Sequence, residues 1–288
     1  MARTEPLVFG PTRRGALAGG FAVALAGSAR ASAPGLLFSG KFVQSGTVIG
    51  RTTPRAKVLV DGAEMGAASA NGLFVVGFDR DAPDTADIRL RSSDGVAEHI
   101  AQIGKGSYDV QRINGLPADQ VEPTDPALLA RIAREIERKN VGFASRADTD
   151  DFRDGFVWPL KAFRLSARFG GQRILDGVPK RPHYGADLAA PIGTPVTAPA
   201  PGLVSFAETG LHFEGSLIMI DHGQGLLSMY LHLSRVDVSA GQKVQRGEQI
   251  GLVGMEGRAT GPHLCWRMSW RGRHLDPTLL VGASAPTA

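Results

Sequence analysis

Between Phe38 and Tyr108 the apolar positions come in short alternating runs: Phe42-Val43, Thr47-Val48-Ile49, Lys57-Val58-Leu59-Val60, Leu73-Phe74-Val75-Val76, Asp87-Ile88-Arg89-Leu90 and Glu98-His99-Ile100-Ala101. Alternation of period two marks strands with one face buried. Asp61-Gly62 and Asn71-Gly72 supply turn chemistry between them. The segment 34–118 therefore predicts a small antiparallel sandwich of five or six strands, immunoglobulin-like, with no titratable cluster of the kind catalysis needs. The period then lengthens over the linker 119–155. Thr124 and Asp125 can cap a helix that Pro126 helps start, Leu128, Leu129, Ile132 and Ile136 form one stripe, and Gly142 is placed to end it. Such a helix is expected to pack its stripe on a neighbouring domain. From Phe156 short β-type runs return, at 196–198, 202–206, 216–220, 226–233, 243–254 and 263–270. They predict a second antiparallel sheet domain over 156–282, followed by a short tail, 283–288. The fold class is mainly β, with two β modules and a connecting helix.

Composition narrows the function classes. With 43% hydrophobic and 21% charged side chains in 288 residues, the chain is neither fibrous nor disordered, and one cysteine excludes an internal disulfide. The net charge of +4 is spread over well-mixed basic and acidic residues with no stripe, which argues against nucleic acid as a partner. The N-terminus explains much of the excess. Arg13 and Arg14 precede an uncharged stretch, 15–29, followed by Ala29-Arg30-Ala31 and Ala31-Ser32-Ala33, both of the small-x-small type a signal peptidase accepts. The stretch is short for a membrane span, and Thr12-Arg13-Arg14-Gly15-Ala16-Leu17 resembles a twin-arginine signal. Residues 1–33 read as an export signal, leaving a mature chain with no transmembrane segment in the periplasm or cell envelope. Arg3, Arg13, Arg14 and Arg30 against Glu5 give the first 31 residues a net +3, so the remainder is close to neutral.

The candidate chemistry lies from residue 183 onward, in the last two fifths of the chain. Six of the seven histidines (His183, His212, His222, His232, His263, His274) and Cys265 fall there. A catalytic zinc site needs three His, Cys, Asp or Glu ligands and an open position. His183 and Asp187 are four residues apart and His263 and Cys265 two apart, spacings that on a strand put both members on one face. HExxH, a Walker loop, GxGxxG and GxSxG are absent. His222 reads as a loop contact, His212 and His274 as groove-rim or surface residues, and Arg164 and Arg168 as strand-edge charges that could shape a groove.

Four blocks carry a further resemblance: 183–196 (HYGADLAAPIGTPV), 229–233 (MYLHL), 244–251 (VQRGEQIG) and 260–264 (TGPHL). In this order and spacing they are similar to the LytM/lysostaphin-type zinc endopeptidases. The resemblance covers roughly residues 158–280. It implies a compact antiparallel sheet with a groove and one zinc ion held by His183, Asp187 and the residue at 265. His232 and His263 lie beside the metal as catalytic helpers. The family's third ligand is a histidine; here it is Cys265. A thiolate keeps a three-ligand zinc site possible, but two anionic ligands weaken the metal as a Lewis acid, so slower or alkaline-shifted catalysis is expected. The function implied is hydrolysis of the peptide cross-links of bacterial peptidoglycan. The alternative is a weakened relative that regulates or scaffolds other cell-wall hydrolases, and the N-terminal β module could dock envelope partners. The segment 171–181 and the loop 255–262 are expected to wall the groove.

Overall fold

Alternation and turn chemistry produce strands at five of the six expected N-terminal runs; Phe42-Val43 makes only an isolated bridge, Val43 to Gly104, and Leu37–Gly40 and Ala63–Ala67 add two strands that the alternation does not predict. The computed structural model describes residues 36–281; the expected export segment and the tail lie outside them. The N-terminal part holds β1 (Leu37–Gly40), β2 (Thr47–Arg51), β3 (Lys57–Val60), β4 (Ala63–Ala67), β5 (Leu73–Gly77), β6 (Thr85–Ser92) and β7 (Gly95–Gln102). They pair antiparallel in two sheets, β1-β2-β5 and β4-β3-β6-β7. Asp61 and Gly62 both take positive φ, 52° and 80°, the backbone of the tight hairpin that Asp-Gly predicts between β3 and β4. Val48, Phe74 and Val76 from one sheet and Val58, Val60, Ile88 and Leu90 from the other join a single buried cluster.

The next strand, β8 (Val110–Ile113), runs parallel to β10 (Gln172–Leu175), far along the chain. β11 (Val178–Pro179) flanks β10 on its other edge. A short helix, α1 (Ala118–Val121), precedes α2 (Pro126–Phe143). Asp125 caps α2 by accepting from the Ala127 and Leu128 amides, with Pro126 at its first turn. Two expectations for this helix fail. Of the expected stripe, Leu129 and Ile136 are exposed and Leu128 and Ile132 only half-buried, while the buried positions are Glu135, Lys139 and Gly142. Charged groups can be buried there because each finds a partner: Glu135 accepts from the His212 amide at 2.9 Å and from Arg131, and Lys139 meets Glu214 at 2.6 Å. Gly142 does not end the helix, which runs to Phe143; it lets the helix approach the sheet, since a Cβ there would lie 2.8 Å from Phe206 Cβ and 3.0 Å from Met219 Sδ.

The C-terminal part is organised on a long antiparallel sheet. Its strands are β9 (Arg164–Ala167), β12 (Ala186–Ala189), β14 (Gly202–Leu211), β15 (Gly215–Asp221), β16 (Leu226–Leu231), β18 (Lys243–Val244), β20 (His263–Trp270) and β21 (Arg273–Leu275). The order is β18-β14-β15-β16-β20-β12-β9, with β21 on β20. A smaller antiparallel sheet joins β13 (Pro195–Thr197), β19 (Gln249–Leu252) and β17 (Arg235–Val236). Period two divides the long sheet into two faces. Ile218, Ile220, Leu226, Tyr230, Leu264, Trp266, Met268 and Trp270 enter the main core. Leu217, Met219, Met229, Leu231 and Cys265 form a second cluster with Phe206 and Leu211 on the side that α2 approaches. The candidate site stands on this second face.

Candidate metal centre

Strand register assembles the site. Asp187 on β12 lies directly opposite Cys265 on β20, and Cys265 lies opposite Leu231 on β16, so His232 follows one residue beyond a cross-strand neighbour of Cys265. His183 comes before β12 begins, so the same-face reasoning for His183 and Asp187 does not hold. Its position is set by the backbone: the Gly170 amide donates to the His183 carbonyl at 2.7 Å, and the His183 amide donates to the Gly171 carbonyl at 2.8 Å. His263 and Cys265 do share one face of β20, as their spacing predicts.

The ligand atoms converge. His183 Nε2 is 3.1 Å from Asp187 Oδ1 and 3.3 Å from Cys265 Sγ, and one ligand atom from each residue lies within 4.8 Å of the others. Tetrahedral zinc with bonds of about 2.0–2.3 Å spaces its ligands about 3.3–3.6 Å apart, so the two short separations fit an ion with little adjustment. All three residues are buried, and Asp187 Oδ1, although close to the His183 and His263 ring nitrogens, receives no well-directed hydrogen bond. A buried carboxylate oxygen left this way is what an ion-binding position provides. Gly185, between His183 and Asp187, is there for space: a Cβ would stand 3.0 Å from Cys265 Sγ and 2.8 Å from Arg267 Cγ.

The two helper histidines are oriented by carbonyls. His232 Nδ1 donates to the Glu256 carbonyl at 2.7 Å, and His263 Nδ1 donates to the Gly261 carbonyl at 2.8 Å. Each bond leaves Nε2 as the free acceptor. Their rings lie 4.8 Å apart, and His263 Nε2 is 3.6 Å from Asp187 Oδ1. His232 takes a positive φ of 66°, a backbone conformation uncommon outside glycine and of the kind found at functional sites. Burial pushes His232 down to about 4 and also lowers His263, so both are neutral bases at neutral pH. Burial resists ionisation of Asp187, but His183, His263 and Arg173 prevail and hold its carboxyl below the usual carboxylate range.

Sequence reasoning missed the cations. Arg267 Nε lies 3.4 Å from Cys265 Sγ, and Arg173 is 3.5 Å from Asp187. Arg258 lies over the Phe213 ring at 4.6 Å and donates to the Gln120 carbonyl. Only Arg267 carried a local signal, two residues beyond Cys265 on the same strand face. Arg164, Thr260, Gly261 and Pro262 border the groove beside Asp187 and His263, and so do Gln111, Arg112 and Ile113 from the β8 segment. The remaining histidines are more interior than expected. His222 is fully buried, its Nδ1 donating to the Pro201 carbonyl at 2.6 Å and its Nε2 2.7 Å from Ser228 Oγ. His212 is buried too, and His274 stacks on Tyr184 with ring centres 3.9 Å apart.

Residues 181–277 match the model of Peptidase family M23. The chain carries a peptidase family M23 domain. The M23 stretch contains the five residues assembled above. A peptidoglycan DD-endopeptidase, ShyA of Vibrio cholerae, is 43% identical over 128 residues, which is 44% of this chain and 29% of ShyA. An uncharacterized metalloprotease of Haemophilus influenzae is 42% identical over 183 residues, 63% of this chain and 33% of the relative. The chain thus spans about a third of the length of these curated relatives. A putative peptidase M23 from Pseudomonas aeruginosa has the same fold over more of the chain: TM-score 0.66 at 29% identity, covering 85% of this chain and 96% of that one.

Proposed function

We propose that this protein is an exported zinc endopeptidase that hydrolyses peptide cross-links of bacterial peptidoglycan. The observation that carries the reading is the convergence of His183, Asp187 and Cys265 beside two neutral histidines with free Nε2 atoms. The M23 match and the endopeptidase ShyA support the substrate class. His183 Nε2, Asp187 Oδ1 and Cys265 Sγ would hold one zinc ion. When bound, that ion supplies Lewis acidity for water and the scissile carbonyl. His232 and His263 take the proton of the attacking water at Nε2 and hydrogen-bond the tetrahedral intermediate. The carbonyls of Glu256 and Gly261 fix the tautomers that make this possible. Export through the N-terminal segment to the periplasm or envelope is part of the reading. No described helix is long and apolar enough to cross a membrane. The domain plan of a β module over 34–118, a helical linker over 119–155 and a peptidase domain over 156–282 accompanies it, with the β module free to dock envelope partners.

The test is zinc analysis of the purified chain and mass analysis of muropeptides released from cross-linked peptidoglycan. The reading expects one equivalent of zinc and products that the wild type releases and His232→Ala does not. Zinc without cleavage at any pH up to about 9 would refute it. Cys265 is the observation that favours a second reading, a regulator of other hydrolases, because it adds an anion to the metal set. That reading expects loss of function in Cys265→Ser but not in His232→Ala.

A further inference from the structure

A cavity of about 350 Å³ opens beside the metal cluster, and five of its walls are cationic: Arg173, Lys180, Arg181, Arg258 and Arg267. His183 forms part of the same wall, so the cavity and the ligand cluster are neighbours. Acceptors nearby meet only part of this charge. Arg173 is 3.5 Å from Asp187, Arg267 Nε donates to Cys265 Sγ at 3.4 Å, and Lys180 is 3.7 Å from the mostly exposed Glu122, while Glu214 is bound to Lys139 and, among the described residues, neither Arg181 nor Arg258 is paired with a carboxylate. Arg173 Nε is buried with no hydrogen-bond partner. Burial, and then the neighbouring Arg173 and Arg267, push Arg258 down to about 10. Five cations facing one cavity, with fewer anionic partners than charges, form a site that an anion stabilises.

Resting on the peptidase reading, we propose that this cavity binds a free carboxylate of the substrate peptide next to the amide that is cleaved, so that the preferred substrates carry an acid, not an amide, at that position. Guanidinium groups hold a carboxylate through paired N–H donors, which fixes direction as well as charge. A peptide anchored by its carboxylate in the cavity would have its chain leading past His183 to the cluster. Peptidoglycan stems offer such groups, because a diamino acid cross-linked through its side-chain amine keeps a carboxyl beside the new amide.

The experiment compares N-acetyl-D-alanyl-D-alanine with its C-terminal carboxamide, binding to the zinc-loaded full chain followed by NMR titration. Peptidoglycan cleavage is measured in parallel. The proposal expects the acid to bind at least about tenfold more tightly than the amide at low salt, with the ratio shrinking as salt rises. Arg258→Gln should bring the ratio below about two and Arg258→Lys should retain most of it. Lys180→Gln combined with Arg181→Gln, at less buried positions, is expected to lower the ratio as well and serves if Arg258→Gln does not fold. Zinc content and thermal unfolding identify folded variants. Equal binding of acid and amide by the wild type overturns the proposal. So does an undiminished ratio in the folded charge-removing variants, which would assign the carboxylate to the metal. Acid preference without any peptidoglycan cleavage would remove the peptidase reading and leave the carboxylate site standing.

Discussion

The proton inventory of His222 gives a quantitative prediction about the sheet that carries the site. Its Nδ1 donates to the Pro201 carbonyl, so its Nε2 accepts from Ser228, whose hydroxyl in turn lies 2.7 Å from the Tyr230 hydroxyl. A neutral imidazole satisfies this chain, and a second ring proton would meet a donor already in place. Burial accordingly pushes His222 down to about 4, against about 6.5 for an unfolded histidine. The sign follows from proton binding. Below pH 6.5 the unfolded chain takes up a proton at this residue and the folded chain does not, so stability is full above 6.5 and falls as pH drops towards 4. At about 1.4 kcal/mol per pKa unit, the loss from this one group is about 2–3 kcal/mol by pH 4.5. The perturbation is His222→Gln, which keeps a donor and an acceptor and does not titrate. Urea unfolding at pH 7.5 and 4.5 measures the loss in each protein, and the contributions of the other groups cancel in the difference. The wild type should lose about 2–3 kcal/mol more than the variant. Equal losses, within about 0.5 kcal/mol, would show that His222 is not the buried neutral group described here.

Other expectations follow from the same geometry. Removing the His232 imidazole should lower kcat by about a hundredfold or more while zinc content stays at that of the wild type, measured by metal analysis and single-turnover cleavage. Cys265→His replaces one anionic ligand by a neutral one; higher activity at neutral pH and a pH optimum shifted downward are expected, and an unchanged profile would contradict the charge argument. Gly185→Ala forces a methyl group against Cys265 Sγ and Arg267, so zinc should be held at least about tenfold more weakly in competition with a chelator. Gly142→Ala gains about 1 kcal/mol of helix propensity but places its Cβ 2.8 Å from Phe206 Cβ; thermal unfolding should show a net destabilisation, and a raised Tm would mean that the helix–sheet contact yields easily.

What the sequence made legible was local. Period two located β14, β15, β16 and β20, Asp-Gly located the β3–β4 hairpin, and Asp125-Pro126 located the start of α2, because each signal is written within a few adjacent residues. The pair His263 and Cys265 was readable for the same reason. His183 is legible only through the family resemblance, since a backbone exchange with Gly170 and Gly171, not strand periodicity, places it, and such pairing leaves no periodic trace. The stripe on α2 is a poor guide to its buried face because Glu135 and Lys139 find their partners only in the folded chain, while Leu129 and Ile136 stay exposed. The arginines around the cluster stayed hidden because they come from β10, the 255–262 loop and β20, and nothing in a linear chain says that these will share one cavity.

The parallel pairing of β8 with β10 bears on how this protein can be taken apart or recombined. The family match begins at residue 181, yet the groove beside Asp187 is bordered by Gln111, Arg112 and Ile113 and its neighbouring strand is hydrogen-bonded to a segment upstream of the linker helix. A gene fragment cut at the family boundary would encode the ligands and leave behind part of the rim. The transferable module is therefore longer than the recognisable one. Fusion or shuffling at the linker helix, the place that composition alone would choose, separates residues that share a single groove.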